Sequence, residues 1–298
     1  MHSIPEISII ILNYNTFQLT TKCIETVVEF TRDVSYEVIL VDNNSTECDA
    51  DLFKVKFPQI TLIKNPHNSG FAKGNNLGIE ASAGDFILLL NSDTYLIENS
   101  IYKSLCYYKK NIGCGVLGCR MIFQDGKIQH TARRFRSISW EIMDLFRFLL
   151  LLMPYKKRAQ LMLGKYFKAD FNTGCDWING AFFFFKKEIL DKLTNGKLDD
   201  RFFMYAEDHL WCWQFAEKGY KTFFYSDTTI VHINNGSTDL TKRINLLRTM
   251  FKHELEIMKE RKGTGLYYFF FRLVYGLKEQ TRILIKSILF CFTRKLMR

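Results

Sequence analysis

The chain has 298 residues, 47% hydrophobic and 24% charged, a balance that excludes a largely disordered protein. Its length allows one large α/β domain with an attached smaller element, or two modest domains. The formal net charge is +10, yet Leu240 to Arg298 holds 14 Lys and Arg against 4 Asp and Glu, so residues 1 to 239 are neutral as a set.

Eight cysteines (Cys23, Cys48, Cys106, Cys114, Cys119, Cys175, Cys212, Cys291) are scattered without a C-x-x-C pair. They offer neither a zinc nor a redox motif and read as reduced, buried thiols of a cytosolic protein. The N-terminus enters an apolar segment with no basic n-region and no cleavage site, so no signal peptide is expected. Arg147, Arg272, Lys278, Arg282 and Lys286 interrupt the best apolar stretches, which leaves no spanning helix of about 18 residues.

In chain order, short apolar runs alternate with helical spacing, the pattern of βαβ units and a largely parallel sheet. Ile7–Asn15 reads as a buried strand, followed by Leu19, Cys23 and Val27 at helical intervals. Glu37–Ser45, Ile60–Asn65 and Phe86–Asp93 read as the second, third and fourth strands. Ligands of open α/β sheets sit outside the carboxyl ends of the strands, so the polar clusters Asn13-Tyr14-Asn15, Asp42-Asn43-Asn44 and Asn91-Ser92-Asp93 are expected to line one crevice. A helix to about Lys110, a strand over Gly115–Phe123 and an Asp125-Gly126 hairpin turn follow. Arg133 to Lys168 is basic and apolar, a poor loop and a poor strand. Trp177–Leu190 reads as a buried strand running into a helix, and Glu207–Lys218 as a helix closed by Gly219. Two short strands are expected around Phe223 and Val231. No internal repeat is present.

Asp93 ends an apolar strand, where an unpaired carboxylate costs several kcal/mol to bury; it therefore faces solvent, a partner or a metal. On this residue alone a metal ligand and a turn cap are equally good readings. The strand ends, Asn65–Ile79 (NPHNSGFAKGNNLGI), the Asn91-Ser92-Asp93 turn and Leu198–Trp213 (LDDRFFMYAEDHLWCW) occur in one order at one set of spacings. Over residues 6 to 238 this resembles the family 2 glycosyltransferases of GT-A fold, most of all the rhamnosyltransferase-like branch of bacterial surface polysaccharide synthesis, O-antigen included.

The resemblance implies a mostly parallel nucleotide-binding sheet flanked by helices, with a nucleotide-binding half to about residue 115, an acceptor half to 238 and a helical basic extension over 239–298. It implies an inverting, non-processive transferase using a nucleotide-diphosphate sugar, a saccharide acceptor that is lipid-linked, and a divalent cation, Mn²⁺ or Mg²⁺. Tyr14 and Asp42 match residues that contact base and ribose. Asn68, Gly70, Lys73 and Asn76 match a donor-side helix start, whose amides and ammonium can meet phosphate. Asp93 matches the last acid of the metal motif, with Asn91 in place of the first. His232, in Val231–Thr238 (VHINNGST), matches a segment that completes metal or diphosphate binding. Asp208 matches the general base, and Glu207 lies on the acceptor side. The family usually places an acid and an arginine just beyond; Leu210 and Gln214 stand there, which implies an absent ion pair.

Several other functions lack their motifs. There is no Q-x-x-R-W segment of a processive synthase, no Gly-rich loop of a pyrophosphorylase after the first strand, and no G-x-G-x-x-G of a dehydrogenase. A glycan-binding protein descended from a transferase stays open on Asn91, Leu210 and Gln214. The stretch Leu266–Phe292 interleaves cations with aromatic and aliphatic residues, as amphipathic helices at anionic lipid surfaces do. The expectation is a peripheral protein at the inner face of the plasma membrane, with Arg147–Pro154 (RFLLLLMP) on the same side and no nucleic-acid partner. An oligomer interface and a helix packed on the core are the alternatives.

Overall fold

The computed structural model describes residues 4–233 and 240–296, with the side chains of 244–285 in the second stretch. It divides into two compact units, residues 1–134 with 159–234 and residues 135–158 with 235–298. This division differs from the expected cut at residue 238, because Phe135–Arg158, a poor loop by sequence, clusters with the C-terminal helices.

In the first unit β1 (Ile7–Asn13), α1 (Phe17–Phe30), β2 (Tyr36–Asp42), α2 (Asp51–Lys56), β3 (Thr61–Lys64), α3 (Phe71–Glu80) and β4 (Phe86–Asn91) alternate as expected. After β5 (Thr94–Leu96) and α4 (Ser100–Lys110) come β6 (Cys114–Ile122) and β7 (Ile128–Gln129). In the second unit α5 (Ile138–Leu145) and a 3-10 turn at Leu149–Leu152 precede α6 (Tyr155–Met162), which runs back into the first unit. There β8 (Thr173–Cys175), β9 (Phe182–Lys186), α7 (Glu207–Glu217) and β10 (Lys221–His232) complete the unit. The second unit ends in α8 (Leu240–Lys262) and α9 (Leu266–Leu296).

The strands form one sheet in the order β3-β2-β1-β4-β9-β6-β10-β5, with β7 beside β6 and β8 beside β10. Pairings β3-β2, β2-β1, β1-β4 and β6-β10 are parallel and carry most of the register. β9 is antiparallel to both neighbours. Its run Phe182-Phe183-Phe184-Phe185 is fully buried because a central strand is covered on both faces. Phe184 stacks on Phe86 at 5.5 Å, while Phe183 and Phe185 meet Trp211 and Phe215 of α7 at 5.5 and 5.7 Å.

Two expectations are corrected. The segment after β9 is a 3-10 turn, Lys187–Lys192, not an α-helix. The two short strands near Phe223 and Val231 are one strand, β10, whose register against β6 slips between Tyr225 and Thr229. That irregularity lets a single strand pass β8, β6 and β5 in turn and deliver His232 beside Thr94.

The second unit has a small core of Met258, Phe271 and Tyr275, with Ile138, Phe251, Leu255 and Tyr268 packed against it. A buried ion network lies beside it. Arg136 Nη1 meets Glu141 Oε1 at 2.6 Å, and Lys278 Nζ meets Glu141 Oε2 and Asp144 Oδ2 at 2.5 Å each. Among the described residues no helix is long and apolar enough to cross a membrane.

Candidate active site

The three strand-end clusters are hydrogen-bonded into one crevice wall. Asn13 Nδ2 donates to Asp42 Oδ1 at 2.7 Å, and the Thr16 and Ser92 hydroxyls lie 3.1 Å apart. Asparagine suits these positions because it tolerates left-handed backbone, which Asn15 (φ 53°) and Asn44 (φ 63°) adopt. Asn43, singled out by sequence only as part of its cluster, is the hub. Its Nδ2 donates to Asn68 Oδ1 at 2.8 Å and its Oδ1 accepts from Asn65 Nδ2 at 2.7 Å. Asn68 Oδ1 also accepts from the Gly70 amide at 3.0 Å, so this oxygen shapes the loop before α3.

Tyr14 stands exposed at the end of β1, and Asp42 is buried with its second oxygen on the Ser45 amide at 3.0 Å. Lys73 and Asn76 are placed elsewhere. Together with His67, Glu80, Lys187 and Lys197 they line a cavity of about 670 Å³, whose walls include none of Tyr14, Asp42, Asp93 and Asp208. Asn76 Nδ2 donates to the Leu198 carbonyl at 2.8 Å.

Asp93 and His232 come together. His232 Nε2 lies 3.2 Å from Asp93 Oδ1, a meeting fixed by the β5-β10 register and by the Ile233 amide donating to the Asp93 carbonyl at 2.9 Å. Gln129, which no sequence signal marked, orients the imidazole. Its Nε2 donates to the His232 carbonyl at 2.5 Å, turning Oε1 onto His232 Nδ1 at 2.8 Å. Gln129 thereby occupies Nδ1 and leaves Nε2 as the ring nitrogen on the side of the Asp93 carboxylate. Asn91 adds a buried Oδ1 with no hydrogen-bond partner, on a side chain whose Nδ2 is 3.5 Å from the same Nε2.

Among the described residues no three His, Cys, Asp or Glu side chains converge as a metal group. The mixed set of carboxylate, imidazole nitrogen and amide oxygen nevertheless fits a divalent cation. An octahedral ion holding donors at about 2.1 Å spaces neighbouring ones by about 3.0 Å, close to the Asp93–His232 separation. Residues 234–238 of the His232 segment lie outside the described residues.

Asp208 is tied to this corner through β9. The Asn91 amide donates to the Ala181 carbonyl at 3.1 Å, and the adjacent Gly180 amide donates to Asp208 Oδ2 at 3.0 Å. The His209 amide holds Asp208 Oδ1 at 2.8 Å. Burial pushes the Asp208 carboxyl above its ordinary range, opposed by these two amides. Glu207 is shifted the same way, first by burial and then by the Asp208 charge; its Oε2 is buried without a hydrogen-bond partner.

The backbone leading in is strained, with Tyr205 (φ 74°) and Ala206 (φ 70°) both left-handed, each costing about 1–3 kcal/mol. The Phe71 amide donates to the Phe203 carbonyl at 2.8 Å, which anchors this loop to α3. A Cβ at Gly70 would lie 2.3 Å from that same oxygen, which explains the glycine. Beyond Asp208, Leu210 is fully buried and Gln214 Nε2 donates to Asp199 Oδ2 at 2.9 Å. Arg201 pairs with Asp199, so a charge pair does exist here, from different residues.

The model of glycosyl transferase family 2 matches residues 8–193, well over half of the chain. The chain belongs to this family. The O-antigen biosynthesis protein RfbC of Myxococcus xanthus is 28% identical over 128 residues, 42% of this chain and 10% of that protein. A poly(ribitol-phosphate) beta-glucosyltransferase of Bacillus spizizenii is 31% identical over 111 residues, 36% of this chain and 18% of its own length. The matched stretches thus span well under half of these relatives. A solved mannosyltransferase of Pyrobaculum calidifontis, in complex with GDP-Man and Mn²⁺, superposes with a TM-score of 0.58 at 17% identity, covering 90% of this chain and 68% of that one. The fold of this family 2 member is GT-A.

Proposed function

We propose that this family 2 member transfers a sugar, with inversion, from a nucleotide-diphosphate donor to a saccharide acceptor in surface polysaccharide synthesis. The observation that carries the reading is Asp208, held by two backbone amides and joined through Gly180-Ala181 to the turn bearing Asp93. Asp208 accepts the proton of the acceptor hydroxyl as its oxygen bonds to the anomeric carbon; the bond from that carbon to the diphosphate oxygen breaks, and the electron pair leaves on the nucleotide. Asp93, His232 and the Asn91 oxygen would hold the divalent cation, which neutralises the leaving diphosphate when bound. Tyr14 and Asp42 would contact the base and ribose, as the family resemblance implies. Rhamnose is the sugar suggested by resemblance, and a lipid-linked acceptor at the inner membrane face agrees with the basic tail.

The test is turnover against a panel of nucleotide sugars with and without Mn²⁺, with the product's anomeric configuration read by NMR. Nucleoside diphosphate release should depend on the cation and fall away in Asp93→Asn. Asp208→Asn should bind donor normally yet transfer at least about a hundredfold more slowly. Retention of donor configuration, or an Asp208→Asn enzyme of ordinary rate, overturns the assignment.

A further inference from the structure

We infer that the second unit is a split anchor for an anionic bilayer surface, in which the turn Leu145–Leu152 inserts beside the outward face of α9. The inference deepens the membrane placement proposed above and rests on it. The unit keeps ions beside its small apolar core. Its interior holds ions: Glu141 is 0% exposed and bound to Arg136 and Lys278, and Asp144 is bound to Lys278. One side of its exterior is apolar, formed by α9 and the turn, while α8 exposes Lys252, Glu256, Lys259 and Glu260. Leu266, Phe269, Phe270, Leu273, Leu277 and Leu284 follow i, i+3, i+4, i+7, i+11 and i+18, one face of a helix, and each is about half exposed or more. Phe271, Tyr275 and Glu279 form the opposite, buried face.

The turn after α5 repeats the pattern. Leu145, Phe146, Phe148, Leu149, Leu151 and Leu152 are exposed, Leu152 to 86%, in eight residues of chain where only Leu150 is buried among the leucines. The two apolar patches adjoin, because Asp144 and Lys278, which pair, immediately precede Leu145 and follow Leu277. Monomeric soluble proteins rarely expose large contiguous apolar patches, and such patches mark interaction or membrane surfaces.

Charge selects the occupant. Every acid of residues 135–158 and of α9 (Glu141, Asp144, Glu279) is buried, whereas Arg147, Lys157 and Arg272 are exposed. Cations flanking an apolar face, with the acids of these two segments withdrawn inside and the exposed acids Glu256 and Glu260 confined to α8, suit lipid headgroups of negative charge. A protein groove has no need of the cations, and nucleic acid has none of the leucines.

Co-sedimentation of the full chain with phosphatidylcholine vesicles, with and without about a third phosphatidylglycerol, tests this. The protein should partition about tenfold or more in favour of the anionic vesicles. The doubly substituted Leu151→Glu/Leu152→Glu and Phe269→Ser/Phe270→Ser proteins should each lose about tenfold of that binding, with donor hydrolysis and thermal unfolding unchanged. Absence of sedimentation with either vesicle overturns the inference. So does undiminished binding of the Leu151/Leu152 variant, which would leave α9 as the sole anchor. A dimer broken by the same variant, with no vesicle binding, would assign the surface to a second copy. Vesicle binding by a protein with no donor hydrolysis would sustain the anchor while sinking the transferase reading.

Discussion

At the scale of single residues, the pair Glu207-Asp208 does two things that its position at a helix start does not disclose. A negative charge is welcome at a helix N-terminus, yet both carboxyls are pushed upward because burial outweighs that benefit. The sign for stability follows from proton binding: a carboxyl raised in the folded state stabilises it when protonated, and this contribution is lost as pH rises from the ordinary carboxylate range through the raised value. Glu207→Gln should remove part of that loss. Thermal unfolding across pH should show wild-type stability declining with rising pH and a flatter curve for the variant; equal slopes would mean that Glu207 ionises freely. Asp93 was legible first from its place at the end of an apolar strand and more sharply through the family resemblance, whereas Asp208 was legible through the resemblance. Gly180 and Gln129 were not legible, since each acts through a backbone or amide contact made by residues far apart in sequence.

At the scale of elements, α3 lies against β1 through glycines. A Cβ at Gly78 would lie 2.4 Å from Ile10 Cγ2 and 3.3 Å from Val41 Cγ2, both on stiff, β-branched and fully buried side chains. Gly78→Ala gains about 1 kcal/mol of helix propensity but incurs about 1–3 kcal/mol of overpacking, so a net loss is expected. Gly276→Ala in α9 is the contrast: its Cβ would meet Phe251 at an ordinary 3.7 Å, and stability should rise. Denaturant midpoints of the two variants moving in the same direction would refute this reading of the packing. The N-terminal strands were readable because each apolar run stops at a polar cluster. The antiparallel sense of β9 was not, because four consecutive phenylalanines carry no period from which to infer direction.

At the scale of the whole molecule, sequence located the excess charge but not its partition. The cut at residue 238 followed composition, whereas Phe135–Arg158 joins the C-terminal helices through contacts that composition does not encode. Lys278 stands at the junction of those two segments. Lys278→Met would remove the cation that Glu141 and Asp144 share, leaving Arg136 on Glu141, and breaking such a buried pair from one side costs about 3–5 kcal/mol. Chemical unfolding should register a loss of that order, and Lys278→Arg should recover most of it; a loss below about 1 kcal/mol would show the network to be solvated.

The insertion of β9 between β4 and β6 also sets a timetable for synthesis. β1 to β4 can pair as soon as they emerge, but the free edge of β4, Phe86 to Leu90, waits for Phe182–Lys186, about 90 residues later. At about 5–20 residues per second the ribosome leaves that apolar edge uncapped for roughly 5 to 20 s. An open strand of this composition is a template for pairing with other chains. The nascent protein is therefore most exposed to aggregation midway through translation, and its demand for a chaperone should end when the phenylalanine strand docks.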